Sequence, residues 1–267
     1  MNYDSQENLN KLESILQKYR TKEFAAGMCN FDDPEKIEII IWTYPKCGTT
    51  TVGNAFQKIY TTSVTFRNIV HCHTEHCWYE RLPELKDIDF SFNIFVDYLN
   101  SKKIKPLVYQ TYRSPVSRIF SHAFHNRLAE IKTDFIYYMT ADYHEYLKNS
   151  IKSIYTHEYD KNKMFGFGSE ENYDILYCPV EGLKNFEKNI KSVKSLKKYH
   201  NLKLDYDNKT DDREYEEFVR DNKLSTKQIE KIYEDSHEVL SFFYTETMIS
   251  ELKKIELEKY SVWGESE

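Results

Sequence analysis

Short apolar runs alternate with amphipathic stretches along most of the chain. The apolar runs are rich in β-branched and aromatic residues, which is typical of strands buried inside a parallel sheet. Those that predict strands lie at 37–42, 67–73, 106–112 and 172–178. Stretches with apolar residues at helical spacing predict helices. These lie at 5–20, from about 50 to 60, at 91–100, from 115 onward, and at 129–150, 183–198, 225–235 and 245–257. Strands that alternate with helices indicate an α/β fold, in which helices flank a mainly parallel sheet.

No stretch of the sequence has the character of a linker between domains. The polar, acidic segment 205–217 connects two predicted helices, and no internal repeat is present. A length of 267 residues allows one large domain or two small ones. We therefore predict a single domain over 1–267, with its main motifs in 37–127 and a helical C-terminal region over 129–267.

The segment 37–56 has the features of an anion-binding site. Its apolar run ends at Pro45, and the turn that follows supplies Lys46, Gly48 and three threonines. Helical spacing resumes after the turn, so a helix begins near Thr50. The free N–H groups of a helix's first turn and the positive end of its dipole attract anions. Because Lys46 adds a mobile cation, we expect the ligand to be a phosphate.

The residue order in this turn differs from that of the common nucleoside-triphosphate loop, G-x-x-x-x-G-K-[ST]. Here the lysine comes before the only glycine of the turn. The segment TYPKCGTT instead resembles the loop T-Y-P-K-S-G-T-T of sulfotransferases that use 3′-phosphoadenosine 5′-phosphosulfate (PAPS). The resemblance implies that this loop binds the 5′-phosphosulfate, with a cysteine that contributes its backbone N–H where the family has serine. The implied binding residues are Lys46, Cys47, Gly48, Thr49, Thr50 and Thr51.

A second motif, YRSPVSRIFS, follows the third predicted strand. Ser114 and Pro115 are suited to the N-cap and first position of a helix. Arg113 ends the strand, and Ser121 lies two turns into the helix, so both can grip one phosphate. The motif resembles R-[ND]-P-x-x-R-x-x-S, the 3′-phosphate motif of the same family. The two motifs together imply a P-loop-type, sulfotransferase-like fold in which Arg113 and Ser121 bind the 3′-phosphate.

Two histidines at the end of the second predicted strand are candidates for a general base. His71 and His73 would project from one face of an extended strand, and this H-x-H resembles the uronosyl 2-O-sulfotransferases. The resemblance implies that His73 is the base and His71 its helper or a substrate contact, with Glu75 as the alternative base. Two other interpretations remain: a zinc site with Cys72 and Cys77, although their spacing is not a standard one, or purely structural histidines.

Features of the second half of the chain bear on the acceptor. Lysines cover one face of the predicted helix 183–198, which is usually a solvated face but can also steer an anionic polysaccharide. The segment FGFG at 165–168 predicts a mobile loop near the acceptor. Cytosolic sulfotransferases also grip the 3′-phosphate with a downstream Arg-Lys-Gly segment, and this sequence has no counterpart. The helical region 129–267 is accordingly expected on the acceptor side.

Composition narrows the classes of function. A net charge of −6 argues against a general nucleic-acid binder. No apolar stretch approaches the ~20 residues of a membrane span. The five cysteines have no disulfide-framework spacing and suit a reducing compartment. Since no secretory signal is evident either, we expect a cytoplasmic protein.

The motifs predict transfer of a sulfuryl group from PAPS to a hydroxyl of a saccharide, without a metal. Adenosine 3′,5′-bisphosphate would be the second product. Lys46 would neutralise the leaving oxygens while His73 takes the proton of the acceptor. By the H-x-H resemblance, a capsular or other surface polysaccharide, or its precursor, is the expected acceptor. A P-loop kinase-like phosphotransferase and a non-catalytic nucleotide- or saccharide-binding protein are the alternatives.

Overall fold

A six-stranded sheet lies at the centre of the part of the chain that the structure describes. The structure, a computed structural model, describes residues 3–19, 36–43, 46–60, 69–72, 79, 82–88, 90–141, 159–205 and 212–262. The strand order is β2-β1-β3-β6-β5-β4. The strands are β1 (Ile39–Trp42), β2 (Ile69–Cys72), β3 (Leu107–Gln110), β4 (Tyr159–Asp160), β5 (Phe165–Ser169) and β6 (Asp174–Tyr177).

Strands β1, β2, β3 and β6 are mutually parallel, whereas β5 pairs antiparallel with both β6 and the edge strand β4. The α/β fold with a mainly parallel sheet is therefore confirmed. The helices are α1 (Tyr3–Tyr19), α2 (Thr49–Tyr60), α3 (Phe92–Ser101), α4 (Pro115–His125), α5 (133–141), α6 (Phe186–Ser192), α7 (Asp212–Asp221), α8 (Thr226–Phe243) and α9 (Glu246–Tyr260).

Helices cover both faces of the sheet, and each face has its own apolar core. In β1, Ile40 and Trp42 join a core formed with α1, α3, α4, α8 and α9. Ile39 and Ile41 point the other way, into a core formed with α2 and the segment 183–204. Because successive residues of a strand face opposite sides, a strand buried on both sides is apolar without interruption. This explains the continuous apolar run that predicted β1.

The predicted loop at 165–168 is wrong, because these residues belong to β5. Two glycines in four residues suggested a turn, yet β5 pairs antiparallel with β6, with Gly166 opposite Tyr177 and Gly168 opposite Ile175. Phe165 packs into a core, and Phe167 packs partly buried against it. Tertiary pairing has overridden the weak strand propensity of glycine. The segment is a strand of the sheet, paired with β4 on one side and β6 on the other, rather than a loop over the acceptor.

The predicted helix at 183–198 is broken into three pieces. It consists of a 3₁₀ helix (Val180–Asn185), α6 and a second 3₁₀ helix (Lys194–Tyr199). The break falls at Val193, whose backbone is extended with φ −99° and ψ 110°. A β-branched residue tolerates that conformation well, and the break lets both Leu196 and Tyr199 reach the core.

The C-terminal region is helical, as the apolar spacing predicted. Helices α8 and α9 extend beyond the predicted bounds of 225–235 and 245–257. The acidic connector at 205–217 is partly wrong, because α7 begins within it at Asp212. Residues 206–211 of that connector lie outside the described part. None of the described helices combines the length and the apolar character that crossing a bilayer requires.

Candidate functional site

The turn between β1 and α2 is built around two residues with left-handed backbone. Lys46 has a φ of 68° and Gly48 a φ of 71°, in a region that residues other than glycine rarely adopt. Before the turn, the Thr43 hydroxyl donates to the Thr111 carbonyl oxygen at 3.1 Å. This bond ties the end of β1 to the end of β3. The turn thus starts from a fixed point at the carboxyl edge of the sheet, where ligands bind in open α/β folds.

Glycine is favoured at position 48 for two reasons. Its positive φ is costly for a residue with a side chain. A Cβ there would also lie 3.3 Å from Leu183 Cδ1 and 3.4 Å from Val180 Cγ2. Cys47, the departure from the family's loop, is fully buried. The role expected of Cys47 is a backbone N–H, which does not depend on the thiol.

The first turn of α2 is open to a ligand. It contains no acidic residue, and the first backbone bond after the turn runs from the Val52 N–H to the Gly48 carbonyl at 3.3 Å. Within the described residues, the N–H groups of Thr49, Thr50 and Thr51 have no acceptor. Free N–H groups at the positive end of a helix dipole form an anion site. The position predicted for the 5′-phosphosulfate has this geometry.

Basic side chains converge on this turn. Arg113 follows β3, and its Nη1 donates to the Lys46 carbonyl oxygen at 3.2 Å. Burial, together with the charge of Arg113, lowers the pKa of Lys46 to about 8. His125 lies on α4, two helical turns after Ser117; its pKa is lowered by burial and by the charge of Lys46. Crowded positive charges of this kind are relieved when an anion binds between them.

We expect the affinity for adenosine 3′,5′-bisphosphate to fall as the pH rises through about 8, where Lys46 loses its proton. Lys46 is charged below this pH and neutral above it, and a phosphate is already fully ionised there because its second pKa is about 6. Arginine stays charged across this range, so Lys46→Arg should flatten the decline. Calorimetric titrations over a pH series check this. An equally steep decline in Lys46→Arg would assign it to another group.

The start of α4, in contrast, is closed by two carboxylates. Glu181 Oε1 accepts from the Ser114 N–H at 3.0 Å. Glu256 accepts from the Val116 N–H at 3.3 Å and from the Ser117 N–H at 2.7 Å. The intervening residue is proline, which has no N–H. Ser114 does occupy the N-cap position, but its side chain makes no capping hydrogen bond, because the two glutamates already accept from these N–H groups.

With its N-terminus closed, α4 offers side chains rather than N–H groups to a phosphate. Arg113 and Ser121, the two residues predicted for the 3′-phosphate, are both partly exposed, so each remains accessible. Arg118, the second arginine of the motif, is fully buried and donates to the Met139 carbonyl. It joins α4 to α5 and has a structural role.

The structure describes only one of the two predicted base residues. His71 lies in β2 opposite Ile41 and is 7% exposed. His73 and Glu75 lie outside the described residues, as does Cys77 of the proposed zinc site. In the ranges that the structure covers, no group of three histidine, cysteine or acidic residues is arranged to hold a metal.

Sequence reasoning missed the two glutamates that hold the start of α4. Glu181 follows β6, and Glu256 is in the last helix, so they are 67 and 139–140 positions away from the N–H groups they bind. No local pattern reports such a contact. The only signal for Glu256 was an acidic residue at a position of α9 that the helical period places toward the core, between Ile249 and Tyr260.

Comparison with known families agrees with the two motifs. Residues 36–165 match the family model described as the sulfotransferase domain. The matched segment begins just before β1, includes α2, β3 and α4, and ends at the first residue of β5. Neither the comparison with curated proteins nor that with solved structures yields a match.

Proposed function

We propose that this chain, whose residues 36–165 match the sulfotransferase domain family of PAPS-dependent enzymes, sulfates a hydroxyl of a saccharide. The observation that carries the proposal is the contact between the two motif turns, where Arg113 donates to the Lys46 carbonyl at 3.2 Å. It places two cations and the open first turn of α2 beside one another. Such an arrangement fits a nucleotide with phosphate groups on both its 3′ and 5′ positions.

Each residue of the site has a role that follows from its chemistry. PAPS supplies the sulfuryl group, which moves to the acceptor oxygen and leaves adenosine 3′,5′-bisphosphate. The first turn of α2, with Lys46, orients the 5′-phosphosulfate and neutralises the charge that develops on the leaving oxygen. Arg113 and Ser121 grip the 3′-phosphate. His73 takes the proton of the acceptor hydroxyl.

A saccharide acceptor is supported by the H-x-H at the end of β2, which resembles that of uronosyl 2-O-sulfotransferases. We propose a capsular or other surface polysaccharide, or its precursor, as the substrate. The buried thiols of Cys47 and Cys178, neither of which is in a disulfide, suit a reducing compartment such as the cytoplasm. The test is transfer of labelled sulfate from PAPS to a panel of desulfated polysaccharides, oligosaccharides and simple phenols. Labelling of phenols alone would overturn the saccharide proposal.

Arg113→Ala should weaken binding of adenosine 3′,5′-bisphosphate by about 10- to 150-fold, because charge-assisted hydrogen bonds contribute about 1.5–3 kcal/mol. Arg113→Lys should retain part of the affinity, since it keeps the charge but loses the planar fork. Titration with adenosine 5′-monophosphate provides the reference, since that ligand lacks the 3′-phosphate. An equal loss for both nucleotides would show that Arg113 acts through the Lys46 turn instead. Tighter binding of ATP with magnesium than of the bisphosphate would favour phosphoryl transfer.

A further inference from the structure

Two glutamate–tyrosine pairs hold the turn that carries Arg113. Glu181 binds the Ser114 N–H with one oxygen and accepts from the Tyr244 hydroxyl, at 2.5 Å, with the other. Glu256 accepts from the N–H groups of Val116 and Ser117, and also from the Tyr233 hydroxyl at 2.8 Å. We call these four residues, Glu181, Tyr244, Glu256 and Tyr233, the clamp. Every member lies outside the segment 36–165.

Glu256 is an unusual residue to find in a core. It is 2% exposed, and burial raises its pKa while the hydrogen bonds from Ser117 and Tyr233 act in the opposite direction. A buried carboxylate is costly unless its oxygens are hydrogen-bonded. It accepts hydrogen bonds from the first turn of α4 and from Tyr233, which is itself part of the clamp. The residue therefore serves the geometry of that turn more than the stability of the core.

The clamp also determines where a phosphate can bind on α4. A helix N-terminus normally attracts an anion through its free N–H groups. Here the N–H groups of Ser114, Val116 and Ser117 are occupied by carboxylates. A phosphate is thereby restricted to the flank of the helix, where Arg113 and Ser121 lie.

We propose that the clamp positions Arg113 and thereby makes the enzyme selective for nucleotides that carry a 3′-phosphate. The four clamp residues are positioning residues, since they reach the nucleotide only through the turn they hold. The proposal rests on the assignment of the 3′-phosphate to Arg113. By this proposal, the C-terminal half of the chain, which was expected to lie on the acceptor side, also contributes to the donor site.

If Glu256 acts only through its charge, neutralising it changes the affinity for a phosphate in one direction; if it acts by positioning Arg113, the change has the opposite sign. Removing a negative charge near a phosphate would by itself tighten the binding of the phosphate. Loosening the turn that carries Arg113 weakens phosphate binding, because the ligand then has to order Arg113 at an entropic cost. The sign of the change therefore separates positioning from simple electrostatics.

The test measures the affinities for adenosine 3′,5′-bisphosphate and adenosine 5′-monophosphate and compares their ratio between variants. We expect Glu256→Gln to weaken bisphosphate binding at least about tenfold while the monophosphate changes less than about threefold, since only the former uses Arg113. Tyr233→Phe should shift the ratio in the same direction by a smaller factor. Glu258→Gln makes the same change of charge at an exposed position of α9 and should leave the ratio unaltered.

Two results would overturn the proposal: an unchanged ratio, which includes an equal loss for both nucleotides, or a gain in bisphosphate affinity. Tyr233→Phe removes one hydroxyl and keeps the ring in the core, so it decides the question if Glu256→Gln does not fold. A wild-type protein that does not prefer the bisphosphate would instead overturn the assignment of Arg113. The wild-type ratio thus tests whether Arg113 binds the 3′-phosphate, and the change of the ratio in the variants tests whether the clamp positions Arg113.

Discussion

Replacing Lys46 by methionine is expected to lower the turnover of sulfuryl transfer by about 10²–10³-fold, the usual effect of removing one preorganised group that stabilises developing charge. Methionine fills a similar volume but carries no charge. Lys46 is next to the open first turn of α2 and is held by the bond from Arg113 to its own carbonyl. Its ammonium is partly desolvated, and this burial, together with the charge of Arg113, lowers its pKa to about 8. A cation in that state gains strongly when a leaving oxygen becomes negative, because less water must be displaced at that moment.

The control for Lys46→Met is Lys58→Met, at the other end of the same helix. Lys58 is exposed and forms a surface ion pair with Asp205, so its loss should have little effect on activity. Single-turnover assays at saturating PAPS separate chemistry from binding. If Lys46→Met raised only the KM for PAPS, Lys46 would be a binding residue without a role in the transition state.

The central part of the fold could be predicted because its signals are local. β1 is an unbroken apolar run, and the turn after it carries its lysine, glycine and threonines within six positions. The apolar face of α4 is likewise visible as a helical period, and its predicted members Val116, Ile119, Phe120 and Ala123 are all buried. Where the contacts that form an element are close in sequence, the pattern of that element is sufficient to predict it.

The parts that could not be predicted depend on distant contacts. β5 contains two glycines and has little strand propensity of its own, so its conformation follows from pairing with β6. Ser114 has the sequence of an N-cap, and nothing near it shows that Glu181 and Glu256 take the N–H groups of this turn. A side chain that binds backbone more than sixty residues away leaves no sequence pattern that identifies its partner.

The family match has a similar limit. It ends at residue 165, before the clamp residues are reached along the chain. The motifs inside the match supply the groups expected to touch the nucleotide, whereas the clamp supplies the hydrogen bonds that hold one of those groups in place. Recognition of the motifs is therefore sufficient to name the co-substrate, and the rest of the chain is needed to explain how the donor site is rigidified.

Replacing His73 by alanine is expected to reduce turnover by about 10²–10⁴-fold, the usual contribution of a positioned general base. β2 ends at Cys72, opposite Trp42, so the chain leaves β2 at the same edge of the sheet as the Lys46 turn. His73 is the next residue of the sequence and lies outside the described residues. An imidazole suits the task because its ordinary pKa of about 6.5 is close to working pH. Activity of the wild type should therefore fall as the pH drops below that value.

The neighbouring residues His71 and Glu75 provide the comparison for His73→Ala. His71 is buried in β2, so His71→Ala removes an imidazole from the core and should affect stability as well as activity. If Glu75 were the base, Glu75→Gln would cause the larger loss of turnover, and the acid limb of the pH profile would move to the lower range of a carboxylate. Nucleotide affinity should stay near the wild-type value in His73→Ala, because a base for the acceptor does not touch the donor. A parallel loss of bisphosphate binding would mean that His73 supports the donor site instead.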